Sequence, residues 1–195
     1  MALKHSTTTA DYLHWDTATS LVRKLYKEKK YRLSLLLGCG FFFGLRISDL
    51  KKLTWAMLMD GETFILEEKK TGKKRIIKIN AQFREHISDC YSALGIIDRN
   101  EPCFLSRKKT VYSTQRINTL FKEVKTQYKL KIEHFSTHSC RKTFGRRVVE
   151  QAGEQAEMAL IRLSEIFNHS SVQITKRYLG IRQEELQECY DMLEF

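Results

Sequence analysis

The chain is poor in the residues that stiffen, cross-link or insert a protein. It holds one proline in 195 residues, which leaves little room for rigid linkers and favours a helix-rich chain. Its five cysteines, Cys39, Cys90, Cys103, Cys140 and Cys189, are odd in number and show no CxxC spacing. Neither a disulfide framework nor a zinc site is therefore expected, and reduced thiols point to a cytoplasmic setting. No apolar run approaches the ~20 residues that span a bilayer, since the longest, Leu35 to Leu45, is broken by Gly38, Gly40 and Gly44. The start, MALKHSTTTADY, has no apolar signal core, which argues against secretion. Acidic residues are also short: 23 against 34 lysines and arginines, a formal charge of +11. That imbalance favours a polyanionic partner, nucleic acid ahead of an anionic membrane surface.

What is present is a foldable chain. A hydrophobic fraction of 42% with 11% aromatics suits one packed domain over 1–195 and not a disordered tail. Residues 1–12 read as a polar lead. Asp16 or Thr17 is expected to cap a helix running to about Lys29. Tyr31 to Phe43 is apolar on most faces and reads as a buried helix ended by Gly44. Ile47 to Trp55 reads as a third helix, with Leu50 and Leu53 inward. Glu62–Leu66 and Arg75–Ile79 read as the strands of a hairpin whose cationic tip, Lys69-Lys70-Thr71-Gly72-Lys73-Lys74, turns at Gly72. Helices are expected over Ala81–Gly95, Ser113–Tyr128, Thr137–Gln151, Met158–Phe167, Ser171–Tyr178 and Gln183–Leu193, with Cys103-Phe104-Leu105 a short strand or buried anchor. In the last helix Leu186, Tyr190 and Leu193 are spaced to bury, against this domain or a neighbouring protomer. The fold class is mainly α with one small antiparallel sheet.

Four segments carry chemistry: GLRISDLKKLTW, EEKKTGKKRIIKI, THSCRKTF and FNHSSVQITKRYLGI. They contain Arg46, Lys70, His138, Arg141, His169 and Tyr178. His138 and Arg141 lie three apart near a helix start, where an anion would meet a guanidinium, an imidazole and free N–H donors. Arg46 suits bidentate phosphate binding. Asp49 either orients it or forms an ordinary i,i+3 ion pair. A tyrosine with a pKa near ~10 is a poor nucleophile unless cations and a leaving-group acid surround it. Each segment alone reads as surface charge or core packing; it is their order and spacing together that suggest a phosphodiester-cleaving site.

In that order the segments resemble the tyrosine recombinase (phage integrase) family, from about Tyr12 to Gly180. GLRISDL is similar to its first arginine box, THSCRKTF to its His-x-x-Arg box and FNHSSVQITKRYLGI to the segment with its last histidine and its tyrosine. KKTGKKRIIKI is similar to its lysine hairpin. The resemblance implies a site-specific DNA recombinase performing integration, excision or inversion. Tyr178 would form a 3′-phosphotyrosyl bond while Arg46 and Arg141 bind the non-bridging oxygens. Lys70 would protonate the leaving 5′-oxygen, ahead of its competitors Lys69 and Lys73 because it directly precedes Thr71-Gly72. His138 and His169 would assist proton transfer, and Asp49 would hold Arg46. No metal or other cofactor is implied. Phe167-Asn168 departs from the family's leucine-glycine, and Asn168 would have to take the positive φ that glycine takes there.

Double-stranded DNA is the implied partner, in the nucleoid-associated cytoplasm and not at a membrane, with a monomer in the free form and a homo-tetramer on synapsed DNA. Phosphate contacts are expected from Lys73, Lys74, Arg107, Lys108, Arg116, Lys142, Arg146, Lys176 and Arg177, and Gln115 could reach a base edge. The family's N-terminal core-binding domain is not seen here. The chain reads either as a catalytic fragment or as a minimal recombinase like the short DNA invertases, and Met1 favours the second. Lys70 on a flexible hairpin and Tyr178 on a late helix are expected to move into place with DNA. The rival readings are a type IB topoisomerase and an inactive DNA-binding regulator.

Overall fold

The run YRLSLLLGCGFFF has almost no polar face, and it forms a helix, α2 (Tyr31–Phe43), whose residues Ser34 to Phe41 are all buried. The computed structural model describes residues 11–181 together with Tyr190 and Asp191. These divide into two units, residues 11–144 and residues from 145 onward.

In residues 11–144, α2 is the centre. Helix α1 (Trp15–Lys27) lays Ala18, Leu21, Val22 and Leu25 into the core, and the Ser34 hydroxyl on α2 donates to the Val22 carbonyl at 2.7 Å. Helix α5 (Ala81–Leu94) buries Phe83, Ile87 and Cys90, and its Phe83 ring stacks on Phe42 with centroids 4.3 Å apart. Strands β1 (Thr63–Glu67) and β2 (Lys74–Lys78) pair antiparallel, Phe64 opposite Ile77 and Leu66 opposite Arg75. Alternation turns Phe64, Leu66 and Ile77 inward and leaves Ile65 and Ile76 exposed. Each strand sits within one residue of the expected span. Helix α6 (Thr114–Gln127) starts at Ser113, whose hydroxyl oxygen accepts from the Arg116 N–H at 3.0 Å. Such a cap is worth about 1 kcal/mol. Cys103 and Phe104 are fully buried, and the Cys103 N–H donates to the Leu53 carbonyl at 2.9 Å. That segment is an anchor.

Two local expectations are corrected. The first helix is preceded by His14, which makes no side-chain cap bond, while Asp16 lies inside the first turn. There a carboxylate still complements the helix dipole. The span Ile47–Trp55 is not one helix but two short ones, α3 (Ile47–Leu50) and α4 (Trp55–Met59). Thr54 takes an extended conformation and its hydroxyl oxygen accepts from the Met57 N–H at 3.3 Å. The new cap restarts the chain in another direction while Leu50 and Leu53 stay buried.

Helix α7 (Thr137–Ala152) begins in the first unit and ends in the second. After it come a 3₁₀ turn (Gly153–Gln155), α8 (Ala156–Phe167) and α9 (Val172–Leu179). A Cβ on Gly145 would lie 2.6 Å from Leu179 and 3.1 Å from the Phe167 ring, so the missing side chain admits both. Asn168 ends α8 in the left-handed region, φ 50 and ψ 53, as its position required. Ser171 caps α9. The helix expected over Gln183–Leu193 lies outside the described residues except for Tyr190 and Asp191, and Tyr190 is exposed and not buried. Among the described residues no helix is long and apolar enough to cross a membrane, and Cys39, Cys90, Cys103 and Cys140 are buried free thiols.

Candidate active site

The exit of α2 organises the arginines. Gly44 closes that helix at φ 57, and a Cβ there would lie 2.4 Å from the Phe144 ring. Both backbone sign and space demand glycine. A Cβ on Gly40 would meet that of Cys140 at 2.9 Å, so α7 lies directly against α2. This approach lets Arg141, only 4% exposed, donate from Nη1 to the Gly44 carbonyl at 2.5 Å. A cation at the carbonyl end of a helix is favourably placed. Arg46, two residues past Gly44, flanks α3 in an extended conformation.

His138 stands one turn before Arg141 at the surface of α7. Desolvation by the surrounding protein lowers its pKa first, and the charges of Arg141, Lys142 and Arg46 lower it further. Its imidazole is therefore neutral at neutral pH, and able to accept a proton.

Arg46 does not pair as expected. Its Nη1 donates to Glu68 Oε2 at 3.1 Å. Glu68, 5% exposed, also faces Arg75 Nη1 at 3.7 Å and accepts from the Thr71 hydroxyl at 3.0 Å. Asp49, fully buried, instead accepts the Lys69 backbone N–H on Oδ1 at 2.8 Å, and its Oδ2 has no hydrogen-bond partner. The reason is geometric. Arg46 is outside the helix, so the i,i+3 face is not shared, and the hairpin folds back over α3 to bring a backbone donor to Asp49. Buried carboxylates need partners, and here these are Arg46, Arg75 and the turn. Burial pulls the Arg75 guanidinium down from its usual pKa and Glu68 pulls it back up.

Lys70 is exposed on this turn. Gly72 supplies the positive φ of 67, and the turn closes through Glu68 N–H to the Lys73 carbonyl at 3.0 Å and Gly72 N–H to the Glu68 carbonyl at 2.9 Å. Both neighbours of Lys70, Lys69 and Thr71, are thus bonded to buried carboxylates within the hairpin whose tip was expected to be flexible. Glu68, Thr71 and Arg75 were not foreseen as site residues. One signal existed: Glu68 continues the inward alternation of Phe64 and Leu66.

In the unit from 145 onward, His169 Nδ1 lies 3.0 Å from the hydroxyl of fully buried Thr175. The Tyr178 ring, half-buried in the last turn of α9, meets the His169 ring edge-on at 5.4 Å and the Phe167 ring at 5.6 Å. Arg146 Nε donates to the Leu179 carbonyl at 2.8 Å, so this expected DNA contact also secures the end of the tyrosine's helix.

The other basic candidates differ in setting. Lys73, Lys74, Arg107, Lys108 and Arg177 are exposed, as is Gln115, and Lys142 is half-buried. Arg116 pairs with Glu123 at 2.9 Å and Lys176 with Glu157 at 2.7 Å.

The sequence matches the phage integrase family over residues 11–185. The chain belongs to that family, the tyrosine-type site-specific DNA recombinases. It is 30% identical over 176 residues to the probable integrase/recombinase YoeC of Bacillus subtilis, covering 87% of this chain and 92% of that protein. It is 23% identical to tyrosine recombinase XerC of Pelobacter propionicus, covering 92% of this chain and 58% of the relative. The fold is similar to the XerA recombinase, with a TM-score of 0.69 at 19% identity over 94% of this chain and 66% of the other. It is similar also to the catalytic core of lambda integrase, with a TM-score of 0.61 at 19% identity over 82% and 91% of the two chains. The α-helical fold with one small hairpin is thus a tyrosine recombinase catalytic-domain fold.

Proposed function

We propose that the chain cleaves and rejoins double-stranded DNA through a 3′-phosphotyrosyl intermediate. Tyr178 Oη attacks the scissile phosphorus, the bond to the 5′-oxygen breaks, and Lys70 gives that oxygen its proton. Arg46 and Arg141 bind the non-bridging oxygens and stabilise the charge of the pentacoordinate state. His138, neutral at neutral pH, accepts the tyrosine's proton, and His169 aids phosphate binding. A second 5′-hydroxyl then attacks the phosphotyrosine and releases Tyr178. The covalent link conserves the bond energy, so this scheme calls on no cofactor.

The observation that carries the reading is the setting of Arg141, bonded to the Gly44 carbonyl one turn after His138, where burial and then the charges of Arg141, Lys142 and Arg46 lower the His138 pKa. An anionic phosphate is a ligand complementary to such a cluster of cations. Exposed Lys73, Lys74, Arg107 and Lys108 would add sequence-independent affinity for the backbone. Solved relatives include the XerH recombinase bound to its difH substrate in a post-cleavage complex, which supports DNA as the partner here. A tetramer on synapsed DNA and entry of the Tyr178 helix with the DNA belong to the same proposal.

Nicked suicide duplexes tiled across the DNA flanking the chain's own coding sequence provide the test. Wild type is expected to form a covalent protein–DNA adduct and Tyr178→Phe none, with both melting at the same temperature. An adduct that persists in Tyr178→Phe, or none from wild type on any duplex, refutes the scheme. Plasmid relaxation without strand exchange would assign topoisomerase chemistry instead.

A further inference from the structure

We infer that Glu68, acting through Thr71, is a positioning residue for Lys70, tying the acid's turn to the arginine Arg46. This rests on the reading of Lys70 as general acid. Lysine has a flexible four-carbon stem, and an exposed one reaches a leaving oxygen only if its backbone is in register with the phosphate. Here the two residues flanking Lys70 are each held by a buried carboxylate. Asp49 Oδ1 takes the Lys69 N–H at 2.8 Å, and Glu68 Oε2 takes the Thr71 hydroxyl at 3.0 Å. The same Oε2 takes Arg46 Nη1 at 3.1 Å, so one oxygen joins the turn to a phosphate ligand. The Thr71 hydroxyl also accepts the Lys73 N–H at 3.3 Å, which tightens the turn from the other side. Glu68 lies too deep, 5% exposed, to meet substrate itself.

The test compares a scissile phosphodiester with one whose 5′-bridging oxygen is sulfur. A thiolate leaves without protonation, so the sulfur duplex bypasses the acid. Lys70→Ala checks the underlying reading: it should cleave the oxygen duplex at least about 100-fold slower and regain near wild-type rate on sulfur. If Lys70→Ala is not rescued by sulfur, that reading fails and the inference falls with it.

With Lys70 so established, Thr71→Val should lose about tenfold on the oxygen duplex and recover to within about threefold on sulfur. DNA affinity should be unchanged and melting temperature should fall by only about 3 °C, and Thr71→Ser, which keeps the hydroxyl, should behave as wild type. In a Glu68→Ala background Thr71→Val should add no further loss. An equal loss of Thr71→Val on both duplexes, no loss at all, or the same loss with Glu68 already removed would overturn the inference. If Glu68→Ala does not fold, the Thr71 pair decides alone.

Discussion

In residues 11–144 the charged groups are held by partners far along the chain: Arg141 by the Gly44 carbonyl 97 residues away, Arg46 by Glu68 across 22, and the Lys69 N–H by Asp49 across 20. In residues 145–181 the contacts that His169 and Tyr178 make within their own unit are local. His169 meets Thr175 six residues on, and Tyr178 rests against rings from the same short segment. In the first unit, folding and the setting of the cations are one event, and a change at a cation should cost stability. In the second, Ser171 caps the helix and the Phe167 and His169 rings pack on Tyr178, so Tyr178→Phe, which keeps the ring, should cost chemistry first.

The largest break in this contrast should come from Arg141→Ala. It deletes a buried charged donor and leaves the end of α2 without it, at a cost of about 3 kcal/mol. For a chain of this size that is a fall of roughly 10 °C in melting temperature, with adduct formation reduced at least about 100-fold. Scanning calorimetry alongside the suicide assay checks both, and an unchanged melting temperature would dissolve the contrast. A smaller effect is expected from Thr175→Val, which removes the hydroxyl at His169 Nδ1 but keeps the shape. It should cost about 1 kcal/mol, or ~3 °C, with adduct formation slowed about tenfold.

The smallest effect is on pH dependence. Burial lowers the pKa of His86, with Asp89 opposing and Arg23 adding to the shift, and His138 is lowered as described. Both folded values lie below the unfolded one of about 6.5. As pH falls through that value the unfolded chain takes up protons that the folded chain resists, so stability drops. Above it neither histidine contributes a penalty. Thermal unfolding between pH 7.5 and 5 should show this loss, and His138→Gln should flatten it in part.

The comparison also explains what could be read ahead of the structure. Arg46, His138, Arg141, His169 and Tyr178 stand in segments whose residue types and spacing already carry phosphate chemistry. Helix α2 was legible to the residue because its ends are a charged run and a glycine. Glu68 was legible only through its alternation with Phe64 and Leu66: within EEKKTGKK it looks like one more solvated charge, and the hairpin folding back over α3 buries it. The role of Asp49 failed for the same reason. Intrahelical spacing offered Arg46 as its partner, whereas tertiary packing supplied the Lys69 N–H. The division into α3 and α4 was missed because Leu50 and Leu53 fit one helical stripe, and the cap at Thr54 was outweighed by it.

The pairing of Arg46 with Glu68 also bears on ionic strength. The condensed ions belong to the DNA, and an arginine whose charge is already shared with a buried carboxylate neutralises less of a phosphate and so releases fewer of them. Each exposed lysine that meets a phosphate should add about 0.9 to the slope of log affinity against log salt. The salt dependence of DNA binding should therefore count the lysines at the hairpin tip and the nearby surface, and be nearly blind to the arginine at the heart of the site.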